Sequence, residues 1–278
     1  MTNCDNDTTR SDDVLVYEGT FLRSALRYVQ AFVRGKNLKT TIVLLYAVFA
    51  LTLWKYIPSA PKFADPETGR CVLSLGAQTL ERPLDGTLQP SPLLFLWNAR
   101  KLWAAFFIMG IVPACVVKFV FHESLADYGL FLRSPKRFAT TCVFFVPIFL
   151  LVGWLSGDVK GFYNVYPFNP LAGASWACLV VHSTLYFFLY YLAWEFMFRG
   201  FIQLGLAQTI GPAPAVLVQV ILSTALHYGH PMSETLGCIV GGLLWGYLVF
   251  RTKSIWPGWI QHAILGIALD WSLILNAG

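Results

Sequence analysis

The chain has 278 residues, of which 56% are hydrophobic and only 13% are charged, and its formal net charge is +5 at pH 7. Its mean hydropathy of +0.58 lies outside the range of soluble domains, so the composition excludes an ordinary soluble enzyme and predicts a polytopic membrane protein. The basic residues cluster beside hydrophobic runs, where they orient and anchor membrane helices. We therefore expect the lipid bilayer, and not nucleic acid, as a partner.

The N-terminal 19 residues are polar and acidic and lack the basic-then-apolar layout of a cleavable signal, so we expect them to remain as a tail. In residues 20–37, apolar side chains recur at helical spacing, while three arginines fall on other faces. The apolar set is Leu22, Ala25, Leu26, Val29, Phe32 and Val33. This pattern predicts an amphipathic helix on the membrane surface. The alternative is a cytoplasmic extension of the first membrane span.

Seven hydrophobic runs have about the 20 residues that a helix needs to cross a bilayer. They lie near 40–57, 102–120, 138–155, 174–194, 214–230, 233–250 and 255–276. Residues 196–209 are also apolar, and we interpret them as a continuation of the fourth helix. The predicted fold is therefore all-α, a polytopic membrane helical bundle with about seven transmembrane helices plus an N-terminal interfacial helix.

Lysines and arginines cluster before span one, between spans two and three, and between spans six and seven. The positive-inside rule places these loops and the N-terminus in the cytoplasm, with the chain in the inner or plasma membrane of the cell. Three regions are predicted. Residues 1–39 form a cytoplasmic tail and the interfacial helix, residues 40–170 form accessory helices, and residues 171–278 form a catalytic membrane core. A long polar loop between Pro58 and Arg100 is long enough to be a lid or a partner site.

Four ionisable residues lie in runs that are otherwise apolar enough for lipid: Glu195, Arg199, His227 and His262. A charge at the centre of a membrane helix costs from about 3 to more than 10 kcal/mol, so such residues normally mark a functional site. Glu195 and Arg199 are four residues apart and can pair on one helical face; the alternative is an ion pair that only locks two helices. A turn signal at Gly211 lies midway between Glu195 and His227. A hairpin there would bring this carboxylate and this imidazole to the same depth.

Three further residues are candidates for a supporting role. His230 is expected at the rim of the site, because the proline that follows it disfavours helical geometry. Glu234 falls in the first turn of the next helix, where helix capping is the alternative role. Asp270 shares a helical face with His262, whereas His182 has no partner at helical spacing and is interpreted as a packing residue. Two small-residue pairs predict close helix packing: Gly237 with Gly241, and Gly242 with Gly246.

Two mechanisms fit the main residues. Glu195, His227 and His262 could hold a zinc ion, as three-ligand catalytic sites do. However, the HExxH arrangement of one common zinc-peptidase class is absent, and the six cysteines are scattered singly. A metal-free mechanism needs only Glu195 as the general base on a water, a histidine that helps to hold that water, and a donor for the oxyanion. We favour this mechanism and expect no cofactor, with zinc as the alternative.

Three segments resemble the motifs of a known family. WEFMFRG at 194–200, STALH at 223–227 and HAILG at 262–266 are similar to the motifs EExxxR, FxxxH and HxxxN of the CAAX-protease and bacteriocin-processing family of intramembrane endopeptidases. The resemblance covers about the last hundred residues. It implies an all-helical fold and glutamate-dependent peptide hydrolysis, in which Glu195 and His227 position the water and His262 lies at the oxyanion.

The chain departs from these motifs at three positions. Trp194 stands where relatives carry the glutamate that acts as base, so Glu195 matches the second glutamate of the pair. Gly266 replaces the asparagine of the third motif, which removes an oxyanion donor, and Ser223 replaces the phenylalanine of the second. The set EFxFRG with HYGHPxxE is similar to bacterial members that process C-terminal sorting tails of surface proteins. The expected substrate is thus a membrane-anchored protein, cut near its C-terminus.

A second class of function is a non-catalytic membrane scaffold or immunity protein on the same fold. The replacements at Trp194 and Gly266 favour it. The joint presence of an acid, a guanidinium and two imidazoles favours the enzyme, because packing alone does not require this combination. A transporter is a weaker alternative, since no span shows the paired helix breaks of transporter substrate sites.

Overall fold

The computed structural model describes residues 21–32, 36–58 and 89–276, with short pieces between 63 and 86. The fold is all-α, as predicted. Its helices are α1 Phe21–Phe32, α2 Lys36–Tyr56, α3 Pro92–Asn98, α4 Arg100–Val120, α5 Pro135–Ser156, α6 Phe162–Val165, α7 Trp176–Ile210, α8 Pro212–Leu226, α9 Met232–Thr252 and α10 Trp256–Leu275. Two antiparallel hairpins have strands of two residues each: β1 Phe63–Ala64 with β2 Cys71–Val72, and β3 Ser74–Leu75 with β4 Gln78–Thr79.

Within the described residues, six helices are long and apolar enough to cross a membrane: α2, α4, α5, α7, α9 and α10. The chain is thus a multi-pass membrane protein. The fifth predicted span, near 214–230, corresponds to α8. This helix has only 15 residues, whereas a membrane-spanning helix needs about 20 residues. The helix ends at Leu226 because turns follow through Gly229, whose φ of +90° is a left-handed conformation that favours glycine.

Helix α7 is the longest element, with 35 residues that run without interruption through Glu195. The interpretation of 196–209 as a continuation of the fourth helix is therefore confirmed. Stretches of π-helix, Tyr186–Tyr191 and Phe196–Leu204, flank the α-helical turn Leu192–Glu195. Such wider turns occur often at functional sites. At Gly211 the backbone has a φ of +86°, α7 ends and α8 begins, so the predicted hairpin apex is also correct.

The basic loops lie together at one end of the bundle. Lys39, near the start of α2, pairs with Glu123 in the loop after α4 at 2.7 Å. Arg137 at the start of α5 donates to the carbonyl oxygen of Arg251 at the end of α9, at 2.9 Å. At the other end of α2, the Lys55 ammonium donates to the carbonyl oxygen of Leu226, at 2.7 Å. The turn between α8 and α9 is therefore at the end opposite the basic loops.

Helices α5 and α10 form the most extensive helix pair of the bundle. A Cβ added at Gly153 on α5 would collide with the carbonyl oxygen of Leu265 on α10, so only glycine permits this approach. In α9, Gly242 faces Val220 of α8, and Gly246 faces Gln203 of α7, which agrees with the close packing predicted for this pair. The prediction was wrong for the pair of Gly237 and Gly241. A Cβ at Gly237 would meet nothing within 4 Å, and one at Gly241 would meet only Trp245 of the same helix.

The amphipathic helix expected at the N-terminus is present as α1, and its apolar side chains are exposed: Leu26, Val29 and Phe32 are 53%, 57% and 43% accessible. Its position on a membrane surface stays a prediction, as does the division into regions 1–39, 40–170 and 171–278. The tail of residues 1–20, Val33 and most of the polar loop between Pro58 and Arg100 lie outside the described residues.

The contact at Gly153 gives a prediction about stability. We expect Gly153→Ala to lower the melting temperature of the purified protein in detergent by several degrees, because overpacking typically costs about 1–3 kcal/mol. The matched control is Gly237→Ala, which adds the same methyl group to a helix where space is open. That variant should melt at the wild-type temperature or slightly above it, since alanine favours helices over glycine. Equal melting of the two variants would contradict the packing described for α5 and α10.

Candidate active site

Glu195 and Arg199 form a buried ion pair on α7. The Arg199 Nη1 atom lies 3.2 Å from Glu195 Oε1, and the two side chains are 2% and 0% exposed. The His262 Nδ1 atom on α10 lies 2.8 Å from the same carboxylate oxygen. A buried charge is tolerated when it is paired and hydrogen-bonded. One carboxylate thus joins a guanidinium of its own helix to an imidazole of another.

The close approach of α10 to Glu195 depends on a glycine. A Cβ added at Gly258, one turn before His262, would lie 2.7 Å from Glu195 Oε2. That oxygen is buried and has no hydrogen-bond partner among the described residues. The absence of a side chain at Gly258 therefore provides the space that the Glu195 carboxylate occupies.

A second cluster surrounds Glu234 at the turn between α8 and α9. Its Oε1 atom accepts a hydrogen bond from the Tyr166 hydroxyl at 2.6 Å and lies 3.0 Å from His230 Nδ1 and 3.6 Å from His227 Nε2. The His227 Nδ1 atom lies 2.8 Å from the carbonyl oxygen of Ser223. Glu234 lies in the first turn of α9, where its charge also suits the helix dipole.

Both clusters face one cavity of about 450 Å³. Polar groups in its otherwise mostly apolar wall include Arg199, His227, Glu234 and His262. Glu195 is not among the lining residues and reaches the cavity only through Arg199 and His262, which hold its carboxylate. The volume is within the range of small-molecule binding pockets, and a few convergent polar groups in an apolar wall are typical of active sites.

Although the hairpin at Gly211 is present, no hydrogen bond joins Glu195 to His227 in the described part of the chain. Glu195 pairs with His262 across helices, and His227 faces Glu234. Equal spacing from Gly211 fixes the depth of a residue along a helix but not the direction in which its side chain points. The position next to Glu195 does reach His227: the rings of Trp194 and His227 lie 5.8 Å apart.

Trp194 occupies the position at which the family motif has its first glutamate. Its indole is 2% exposed and lies 5.8 Å from the His227 ring and 6.3 Å from the His262 ring, measured between centroids. Both imidazoles that line the cavity therefore contact one indole. An apolar ring takes the place of a charged group at this point of the wall.

The replacement at Gly266 also has a structural explanation. A Cβ at this position would collide with the hydroxyl oxygen of Tyr191 on α7. Tyr191 lines the cavity, and its ring lies 4.7 Å from that of His262. The motifs do not identify Tyr191, although a glycine at the asparagine position of the third motif indicates that another group fills that space.

Asp270, a candidate for a supporting role, lies away from the cavity. Its Oδ2 atom is 2.8 Å from His182 Nε2, and both side chains are at most 1% exposed. His182 thus has the partner that the spacing within its own helix did not reveal. The pair links α7 to α10, as Glu195 and His262 do, but neither residue lines the cavity.

The residues that could bind a metal ion in the structure differ from the predicted set of Glu195, His227 and His262. His227 does not join Glu195 and His262 in a ligand set. The described residues contain a different group, His227, His230 and Glu234, whose potential ligand atoms all lie within 4.8 Å of one another. Any zinc alternative therefore belongs to the second cluster.

Comparison with known proteins agrees with the motifs. Residues 174–268 match the model of the Rce1-like family, described as type II CAAX prenyl endopeptidase Rce1-like. No curated protein matches the chain significantly, and no solved structure does. The matched region contains all three motif segments and both clusters apart from Tyr166. Residues 174–268 of this multi-pass membrane protein are therefore similar to the Rce1-like CAAX endopeptidase family.

Proposed function

We propose that this chain is a glutamate-dependent, metal-free intramembrane endopeptidase that hydrolyses a peptide bond near the C-terminus of a membrane-anchored protein. The observation that supports this proposal most directly is the buried Glu195–His262 pair, whose imidazole lines a cavity among helices with apolar outer faces. The family match supports the reaction class, and the lipid-exposed bundle supports a substrate that reaches the site from the membrane.

Glu195 and Arg199 prepare His262 for proton exchange. A carboxylate that accepts the Nδ1–H of an imidazole fixes its tautomer and stabilises the imidazolium that forms when the other nitrogen takes a proton. Arg199 balances the charge of Glu195 when His262 is neutral. In peptide hydrolysis an imidazolium on the cavity wall can donate to the oxyanion and then to the leaving amine. The Tyr191 hydroxyl beside His262 is a further donor for the oxyanion.

The alternative function is a non-catalytic scaffold, which the indole at Trp194 favours because it replaces the first glutamate of the motif. A scaffold would keep the ion pair for packing but would not depend on its proton chemistry. Loss of cleavage without loss of fold in a Glu195 variant separates the two functions.

The first test is Glu195→Gln, which keeps the shape of the side chain but removes its charge. We expect cleavage to fall by at least a hundredfold, measured by mass spectrometry of membrane-protein C-termini from cells with the wild-type chain, with the variant, and without the chain. Some loss of stability is also expected, because the variant leaves Arg199 buried without its anion.

The matched control is Asp270→Asn, which neutralises the carboxylate of the other buried pair between α7 and α10. It should lower the melting temperature in detergent but preserve cleavage per folded molecule, because this pair lies away from the cavity. Cleavage by Glu195→Gln within tenfold of wild type, or equal loss in both variants, would contradict the proposed role of Glu195.

The metal-free mechanism predicts the effect of chelators. Extended dialysis of the purified protein against a strong chelator should leave cleavage unchanged, and elemental analysis should find less than one zinc per ten chains. Loss of cleavage that added zinc restores would contradict this mechanism. It would assign zinc to His227, His230 and Glu234, the group whose ligand atoms converge.

We also propose that the N-terminus is cytoplasmic in the inner or plasma membrane, and that the Glu234 cluster opens towards the opposite side. The basic loops share one end of the bundle and the turn between α8 and α9 lies at the other, so the positive-inside rule assigns the two ends to different sides. A protein with a C-terminal tail on the non-cytoplasmic side could then reach the cavity.

Cysteine labelling tests this orientation. In a background without native cysteines, Tyr228→Cys should react with a membrane-impermeant maleimide added to intact cells, because this residue is 85% exposed at the turn between α8 and α9. The control Lys136→Cys, exposed at the basic end, should react only after the membrane is permeabilised. Labelling of the two positions in the reverse order would contradict the orientation.

A further inference from the structure

We propose that Glu234, with His227, is the group that activates the attacking water, and that Glu195 acts only on the opposite side of the reaction through His262. This inference rests on the proposed endopeptidase function. It assigns the general base to α9, outside the three motif segments.

Access to the cavity distinguishes the two carboxylates. Glu234 lines the cavity and Glu195 does not. The Oε1 atom of Glu234 is fixed by two neighbours, the hydroxyl of Tyr166 at 2.6 Å and Nδ1 of His230 at 3.0 Å. The Oε2 atom is buried and has no hydrogen-bond partner among the described residues. The contacts of Tyr166 and His230 therefore orient the carboxylate, and Oε1 is the oxygen that lies nearest to His227 Nε2.

The tautomer of His227 follows from its contacts. Its Nδ1 atom lies 2.8 Å from the carbonyl oxygen of Ser223, which can only accept, so Nδ1 carries the proton. In the neutral ring Nε2 is then an acceptor. It lies 3.6 Å from Glu234 Oε1, which is longer than a hydrogen bond, so both atoms can accept a hydrogen bond from a water in the cavity.

A water in the cavity beside these two acceptors would donate one hydrogen to the His227 Nε2 atom and the other to the Glu234 Oε1 atom. Its oxygen lone pairs then point away from both, towards a carbonyl carbon in the cavity. The indole of Trp194 contacts the His227 ring and holds it in place. The arrangement therefore orients the water as a nucleophile before the proton moves.

The proton transfers balance across the two clusters. The water oxygen forms a bond to the carbonyl carbon while one of its protons passes to Glu234. Collapse of the tetrahedral intermediate breaks the C–N bond, and the leaving nitrogen takes a proton from the imidazolium of His262. The proton on Glu234 returns to His262 through solvent as the products leave. No oxidant, reductant or metal is required.

The test compares two carboxylates under the same assay of C-terminal cleavage. Glu234→Gln should lose at least a hundredfold of the cleavage rate and keep its melting temperature closer to wild type than Glu195→Gln does, because no buried guanidinium loses its partner. His230→Gln, which changes only a group that orients Glu234, should lose less than tenfold.

Chemical rescue separates a base from a structural role. Glu234→Ala should recover at least tenfold in cleavage when formate is added, because a small carboxylate can enter the cavity in place of the side chain. Glu195→Ala, whose carboxylate position lies outside the cavity wall, should not recover. Two results would overturn the proposal while leaving the protease function intact: near-wild-type cleavage by Glu234→Gln, or no rescue of Glu234→Ala by formate. Absence of cleavage by the wild-type chain would instead overturn the proposed function itself.

Discussion

The structure depends on a buried carboxylate that has to be neutralised without water. Glu195 is completely buried, and an isolated anion at this position would cost far more than the fold can supply. Arg199 supplies the opposite charge from the same helix, and His262 supplies a hydrogen bond from α10. Satisfying one oxygen atom therefore fixes both the rotation of α7 and the position of α10. The glycine at 258 follows from the same requirement, because a side chain there would occupy the space of the carboxylate.

Other buried ionisable residues of the bundle are paired in the same way. His182 and Asp270 form a second buried link between α7 and α10, and Tyr166 and His230 hold Glu234 at the start of α9. In lipid, apolar side chains do not drive helices together as they do in water, so specific polar contacts and close packing determine which helices meet. The pairing of α7 with α10 at two depths explains how a cavity can exist between these helices without collapse of the bundle.

The sequence predicted those features that depend on one helix or one turn. The continuity of α7 through Glu195, the hairpin at Gly211 and the Glu195–Arg199 pair follow from hydropathy, turn residues and spacing. Contacts between helices were not predictable in this way. The partner of His182 is Asp270, which lies 88 residues away on α10 and therefore cannot be found from spacing within one helix. Spacing from Gly211 gives the depths of Glu195 and His227 but not the directions of their side chains. The fifth span was predicted to reach residue 230, but α8 ends at Leu226, where the apolar pattern stops and turns through Gly229 begin.

The presence of Trp194 in place of the first motif glutamate is consistent with the pairing of Glu195 with a single guanidinium, that of Arg199. A second carboxylate beside Glu195 would add a like charge next to a group that has a single guanidinium as its counter-ion, and like charges in such a site oppose ionisation of both. With an indole at 194, the chain keeps one anion at Arg199 and places the other, Glu234, in a different cluster with its own donors. Each carboxylate then faces a different imidazole, and the two imidazoles meet on the same indole. The absence of the first motif glutamate thus leaves two carboxylates in separate clusters, an arrangement that the proposed division of acid and base functions requires.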